Sequence, residues 1–109
     1  MNSWNERDEK NIWHPFTPLA GMDAPLVIER AEGGNLFTKD GQKIIDAISS
    51  WWVNIHGHSH PKIAEAIFQQ AQKLEHVIFA GFTHQPAITL GERLLEILPN
   101  NQSKIFFSV

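Results

Sequence analysis

The stretch Ser49-Ser50-Trp51-Trp52-Val53-Asn54-Ile55-His56-Gly57-His58-Ser59-His60-Pro61 narrows the possible folds more than any other part of the chain. Two adjacent tryptophans lead through an apolar segment into a glycine turn carrying imidazoles, and a proline then opens a helix. Neighbouring side chains on a strand point to opposite faces, so two adjacent indoles there cannot share one core. One ring joins the core, which leaves the other facing a cleft, an interface or solvent. The expectation is a flat aromatic wall beside a turn rich in hydrogen-bonding groups, and that is the place to look for function.

On either side of this stretch the pattern is regular. Residues 1–13 form a polar arm with isolated tryptophans at Trp4 and Trp13. The prolines of His14-Pro15-Phe16-Thr17-Pro18 exclude helix and favour an extended path. Leu26-Val27-Ile28 is expected as a strand, Gly33-Gly34-Asn35 as a turn, and Leu36-Phe37-Thr38 as a second strand. Asp40-Gly41 signals a hairpin of type I′, which requires positive φ at both central residues. Lys43 to Ile48 returns as a third strand, so residues 26–48 make an antiparallel meander.

Helices follow. Pro61 fits a first helical position, and Ile63, Ile67, Ala71, Leu74 and Ile78 then recur at intervals of three and four. Gly81-Phe82-Thr83-His84-Gln85 breaks that pattern. A second helix starts near Pro86 and stops at Pro99-Asn100-Asn101. Ile105-Phe106-Phe107 is expected as a buried strand. The resulting order, a small antiparallel sheet, two helices and a lone strand, is incomplete as an independent fold and sensible as the opening of a larger α/β protein.

Composition removes several classes of function. With 109 residues, 42% hydrophobic, 19% charged and a net charge of −3, the chain has the make-up of a soluble globular domain. Its nine lysines and arginines are scattered, which argues against a nucleic-acid partner. The absence of cysteine excludes disulfide scaffolds, thiolate zinc sites and cysteine nucleophiles. Met1 to Lys10 lacks the apolar core of a signal peptide, and no apolar run approaches the ~18 residues of a membrane span. A cytoplasmic location and no membrane partner are the expectations.

Catalytic chemistry is harder to find. His56, His58 and His60 alternate as zinc ligands on a strand would, but Gly57 and Pro61 bend the segment, and no carboxylate adjoins the run to orient a ligand. Turn and cap roles for the three imidazoles are preferred. Schiff-base chemistry needs a lysine in a desolvated pocket, and none of Lys10, Lys39, Lys43, Lys62, Lys73 and Lys104 sits in an apolar context. Gly33-Gly34-Asn35 joins two strands and lacks the aligned N–H groups of a phosphate cradle. Thr83, ahead of a helix, could reach an anion or simply cap that helix.

Trp13-His14-Pro15-Phe16-Thr17, Ser49-Ser50-Trp51-Trp52, Ile55-His56-Gly57-His58, His60-Pro61 and Gly81-Phe82-Thr83-His84-Gln85-Pro86-Ala87 stand in an order and spacing that carry a resemblance. Over about residues 12–107 the chain resembles the N-terminal part of class-III pyridoxal-phosphate aminotransferases. Within them it is similar to the adenosylmethionine–8-amino-7-oxononanoate aminotransferases (7,8-diaminononanoate synthases) of biotin synthesis. The glycine-histidine-proline turn points to the broad class, and the Trp-His-Pro-Phe-Thr opening with Ser-Ser-Trp-Trp to the narrower family. This resemblance implies a fold-type-I homodimer using pyridoxal 5′-phosphate, with S-adenosylmethionine and 8-amino-7-oxononanoate as substrates.

It also implies roles for particular residues. Residues 1–13 would be an arm, 14–60 a small-domain segment with the substrate entrance, and 61–109 the helices and first strand leading into the large cofactor-binding domain. Trp51 matches the tryptophan lining the substrate pocket. Phe16 falls where many members carry a tyrosine, keeping the stacking face and losing the hydroxyl. Trp52 would pack behind. Val109 stands where a polar residue is usual. The cofactor-stacking aromatic, the aspartate paired with the pyridine nitrogen, the Schiff-base lysine and the carboxylate-binding arginine match no position here, so no catalytic or cofactor-binding residue is expected within the chain. Two other readings stay open: a class-III aminotransferase with a different amino donor, and a non-catalytic interaction module that docks through its helix stripe and exposed aromatics.

Overall fold

A computed structural model describes residues 3–108; the expectation for Val109 and the first two positions of the arm lie outside the described residues. The chain divides into two units, one ending at Ile67 and the other beginning at Phe68.

Within the polar arm, the first unit opens with a helix. In α1 (Trp4–Asn11), the Ser3 hydroxyl accepts from Glu6 N–H while the Glu6 carboxylate accepts from Ser3 N–H, a reciprocal capping box. These bonds satisfy two of the amide donors that a helix start leaves unpaired. The Ser3-x-x-Glu6 spacing was the sequence signal for it. At the far end, Asp8 accepts from His14 Nε2 at 2.8 Å and ties the helix to the proline-rich turn.

The meander is present as β1 (Ile28–Glu32), β2 (Asn35–Thr38) and β3 (Lys43–Ile45), antiparallel in the order β1-β2-β3. It is shorter than expected at both ends. β1 starts at Ile28, with an irregular register between Ile28 and Arg30, and β3 ends at Ile45 because Asp46 begins a turn. The β2–β3 loop is also not type I′. Gly41 N–H donates to Thr38 O at 3.0 Å and Thr38 N–H donates to Gln42 O at 3.0 Å, with Gly41 at φ +89° and Asp40 not among the positive-φ residues. This is the three-residue hairpin loop, which needs one left-handed residue where type I′ needs two. The buried Thr38 hydroxyl, bonded to Asp40 and to Gln42 N–H, holds the loop closed.

The Trp51-Trp52 segment is not a strand. α2 (Ser49–Trp52) is one helical turn with φ of +50°, +47°, +62° and +65°, which makes it left-handed. Then the glycine turn adds to the sheet: Gly33 and His58 exchange both backbone hydrogen bonds, at 3.1 and 2.8 Å, and the Ser59 hydroxyl donates to Ala31 O. Gly57 is required at this contact. Its φ is +82°, and a Cβ would stand 3.1 Å from Gly33 Cα.

α3 (Pro61–Ala71) starts at Pro61 as expected. It ends at Ala71, so Leu74 and Ile78 of the expected stripe lie beyond it. Gln70 closes the helix instead, its carbonyl accepting from Lys73 and Leu74 N–H and its side chain donating to Leu74 O. In the second unit, α4 (Gln85–Ile97) is capped by His84, whose ring accepts from Ala87 N–H, rather than by Thr83. Ile105 to Phe107 is not a strand. A strand is defined by its neighbours, and among the described residues none pairs with it. Ile105 lies beside Gly91, and Phe107 meets Phe79 edge to face at 5.5 Å.

Candidate functional site

Phe16 and Trp51, 35 positions apart in the chain, meet with ring centroids 4.9 Å apart and planes tilted by 48°. Both rings are open to solvent, Phe16 85% and Trp51 55% exposed. The pair presents two exposed aromatic faces that an apolar or aromatic ligand could contact.

Neither residue sits in a relaxed backbone. Phe16 has φ +58° and Trp51 +62°. A bulky side chain at positive φ is an outlier, costing about 1–2 kcal/mol per residue, and it persists only where surrounding bonds impose it. Around Phe16 the bonds are local: Trp13 Nε1–H donates to Thr17 O at 3.1 Å and the Thr17 hydroxyl to His14 O at 2.7 Å. His14 is held in turn by Asp8.

Around Trp51 the organiser is Asp46, directly after β3. Its Oδ1 accepts from Ser50 N–H at 3.0 Å, its Oδ2 from the Ser50 hydroxyl at 2.8 Å and from His58 Nε2–H at 2.7 Å. The side chains of Asp46 and His58 are only 6% and 14% exposed. The Ser50 amide first, then His58 and the Ser50 hydroxyl, hold the Asp46 carboxyl down at about 2. An ionised carboxylate therefore locks the left-handed turn to the end of the sheet and to the histidine turn.

This corrects three expectations. A carboxylate does adjoin the histidine run, reached through space from position 46. The two indoles do not divide between core and cleft, because a left-handed turn rotates successive side chains by about 100° and not 180°, and both rings face outward. Nor does Trp52 pack behind Trp51 within this chain; at 77% exposed it stands further out. The three imidazoles separate as well. His58 is spent on Asp46, His56 and His60 meet edge to face at 6.4 Å, and the described residues hold no cluster of three or more His, Cys, Asp or Glu.

The family profile of class-III aminotransferases matches residues 19–109. The chain belongs to the class-III aminotransferases. The adenosylmethionine-8-amino-7-oxononanoate aminotransferase of Synechococcus elongatus is 51% identical over 98 residues, which are 90% of this chain and 23% of that protein. The crystal structure of the enzyme of that name from Methanocaldococcus jannaschii superposes with a TM-score of 0.82 at 38% identity, covering 92% of this chain and 23% of that one. An omega transaminase from Pseudomonas jessenii, in complex with PMP, gives 0.84 at 30% identity over 94% of this chain and 23% of its own. This class-III aminotransferase chain thus spans about a quarter of the length of the curated relatives it matches, and its sheet and helices match an N-terminal part of the fold.

Class-III aminotransferases use pyridoxal phosphate, and this chain's residues do not by themselves fit that cofactor. All six lysines are exposed, and Lys39 is engaged with the Trp4 ring, its Nζ 4.1 Å from the centroid. The start of α4, where a phosphate would find free amides, has the Ala87 N–H taken by His84. Among the described residues no helix is long and apolar enough to cross a membrane.

Proposed function

We propose that this segment supplies part of the substrate wall of a class-III aminotransferase of biotin synthesis, in which Phe16 and Trp51 bind and orient substrate. The complete enzyme moves an amino group from S-adenosylmethionine to 8-amino-7-oxononanoate, giving 7,8-diaminononanoate. One observation carries the reading: two aromatic residues distant in sequence meet with ring centroids 4.9 Å apart, solvent-facing, each in a strained left-handed backbone. Strain of that kind concentrates at ligand clamps, where the surrounding structure over-determines it. The shared name of the similar proteins supports the choice of substrates.

In this reading Phe16 and Trp51 offer stacking faces and donate no proton. Phe16 has no hydroxyl, so the wall selects by shape and apolar contact. Pyridoxal phosphate would supply the electron sink and the amino carrier of the complete enzyme; Phe16 and Trp51 bind and orient substrate and exclude water from one side. Residues 1–13 act as an arm, 14–60 as the small-domain segment and 61–109 as the lead into the large domain of a cytoplasmic homodimer.

The test is amino transfer by the full-length enzyme carrying this segment, with production of 7,8-diaminononanoate measured directly. Formation of product from S-adenosylmethionine and 8-amino-7-oxononanoate is the expected result. Efficient transfer from alanine or another simple amine with no turnover of S-adenosylmethionine would replace the donor while keeping the class.

A further inference from the structure

We infer that Asp46 is a positioning residue for substrate binding: through Ser50 and His58 it holds the left-handed turn that presents Trp51 to Phe16. The inference rests on the substrate-wall reading above and adds to it the device that builds the wall.

The backbone poses the problem that Asp46 solves. Four consecutive non-glycine residues, Ser49 to Trp52, have positive φ, and Ser50 and Trp51 also have ψ near +55° and +52°. Such a turn is disfavoured at every residue by contact of Cβ with the following carbonyl. The sequence holds no glycine or asparagine there to ease it. Backbone bonds brace the turn, Ser49 N–H to Asp46 O at 3.2 Å, Trp52 N–H to Ile48 O at 2.9 Å and Asn54 N–H to Ser49 O at 3.2 Å. Among the described residues, the Asp46 carboxylate reaches both into the turn and out of it. It binds the Ser50 amide and hydroxyl on one side and the His58 ring on the other.

His58 is itself fixed. Its backbone exchanges two hydrogen bonds with Gly33 at the β1–β2 loop, across the close approach that Gly57 permits. The line of restraint therefore runs from the hairpin through His58 and Asp46 to Ser50, and the next residue is Trp51. The Asp46 carboxylate bonds to Ser50 and His58. Its effect on a substrate passes through the Trp51 backbone, so it should act on binding and leave the chemical step alone.

The experiment uses the full-length aminotransferase carrying this segment. In Asp46→Ala, the KM for the substrate held by the wall rises about tenfold or more while kcat stays within about twofold, the pattern of lost uniform binding. The cofactor absorbance is unchanged. Its crystal structure shows Ser49 to Trp52 out of the left-handed region and the Phe16 and Trp51 rings apart. Adding Ser49→Gly, which accepts positive φ without strain, recovers most of the lost affinity. In a Trp51→Ala background Asp46→Ala adds less than about twofold, because both changes act through one ring.

A variant that keeps the left-handed turn and the contact of the two rings overturns the inference. So does a loss equally large without Trp51 and unrelieved by Ser49→Gly, which would mark general destabilisation. Should Asp46→Ala fail to fold, Ser50→Ala and Asp46→Asn decide: a raised KM in both supports the role, and unchanged KM in both removes it. The two readings fail separately. An unchanged KM in Trp51→Ala sinks the substrate wall, whereas the backbone of residues 49–52 in the Asp46 variants reports on Asp46 whatever the wall binds.

Discussion

Asp46 and Gly57 carry more of the local structure than their neighbours, and each for a single physical reason. The Asp46 carboxyl lies below the usual 3.8, at about 2, because the folded chain binds its ionised form through the Ser50 amide, His58 and the Ser50 hydroxyl. A lowered carboxylate contributes stability that is complete above its unfolded value and lost as pH falls through the folded one. The stability advantage of the wild type over Asp46→Asn should therefore be constant down to about pH 4 and shrink between about pH 4 and pH 2. Urea unfolding of the full-length enzyme carrying this segment measures it across that window, and a gap that persists undiminished would show that the charge plays no part. Gly57→Ala faces a positive φ and a Cβ 3.1 Å from Gly33 Cα. The backbone alone costs about 1–2 kcal/mol, and the close contact adds to it, so the unfolding midpoint of the full-length enzyme carrying this segment falls. At the wall, Trp51→Ala should raise substrate KM about tenfold or more with cofactor loading intact, as removal of a stacking face predicts; identical kinetics for both substrates would exclude the assignment.

At the scale of elements, the caps decide where helices start and the pairing partners decide what is a strand. α1 depends on Ser3, so Ser3→Ala should cost about 1 kcal/mol. Amide hydrogen exchange should then quicken across Trp4–Asn11 while Lys43–Ile45 is unaffected; equal exchange in α1 would mean that the helix stands without its cap. The elements legible in the sequence were those whose cause is local. The meander follows from alternating apolar residues bounded by Gly33-Gly34 and Asp40-Gly41, α3 from Pro61, and α4 from Pro86 and its leucine stripe. α2 was illegible for the opposite reason. Nothing in Ser-Ser-Trp-Trp favours positive φ, and the carboxylate that imposes it comes from the residue directly after β3, with its second anchor 12 residues further on. The candidate site was legible as residue types, Phe16 and Trp51, while the contact that joins them and the Asp46 anchor were not.

For the whole molecule the decisive quantity is surface. A folded monomer of 12.4 kDa exposes roughly 6,100 Å², and two separate globules of the sizes of its units roughly 7,400 Å². This chain exposes 9995 Å². Among the described residues Ala87 and Thr38 are buried, while Ile63, Ile67, Phe68 and Leu90 on the helices remain open. These faces lack the cover that a core would give them. Expressed by itself, the 109-residue chain should show no sharp calorimetric transition and should bind an apolar dye; a cooperative transition at a concentration-independent temperature would show that the piece is a self-sufficient domain. The sequence by itself determined the family, the antiparallel meander, the proline-started helices and the aromatic character of the site, because each is written in neighbouring residues. The left-handed turn, the pairing of Phe16 with Trp51 and the clamp from Asp46 to His58 came from the folded chain alone. Those depend on which distant groups meet, and on strain that only their hydrogen bonds can hold.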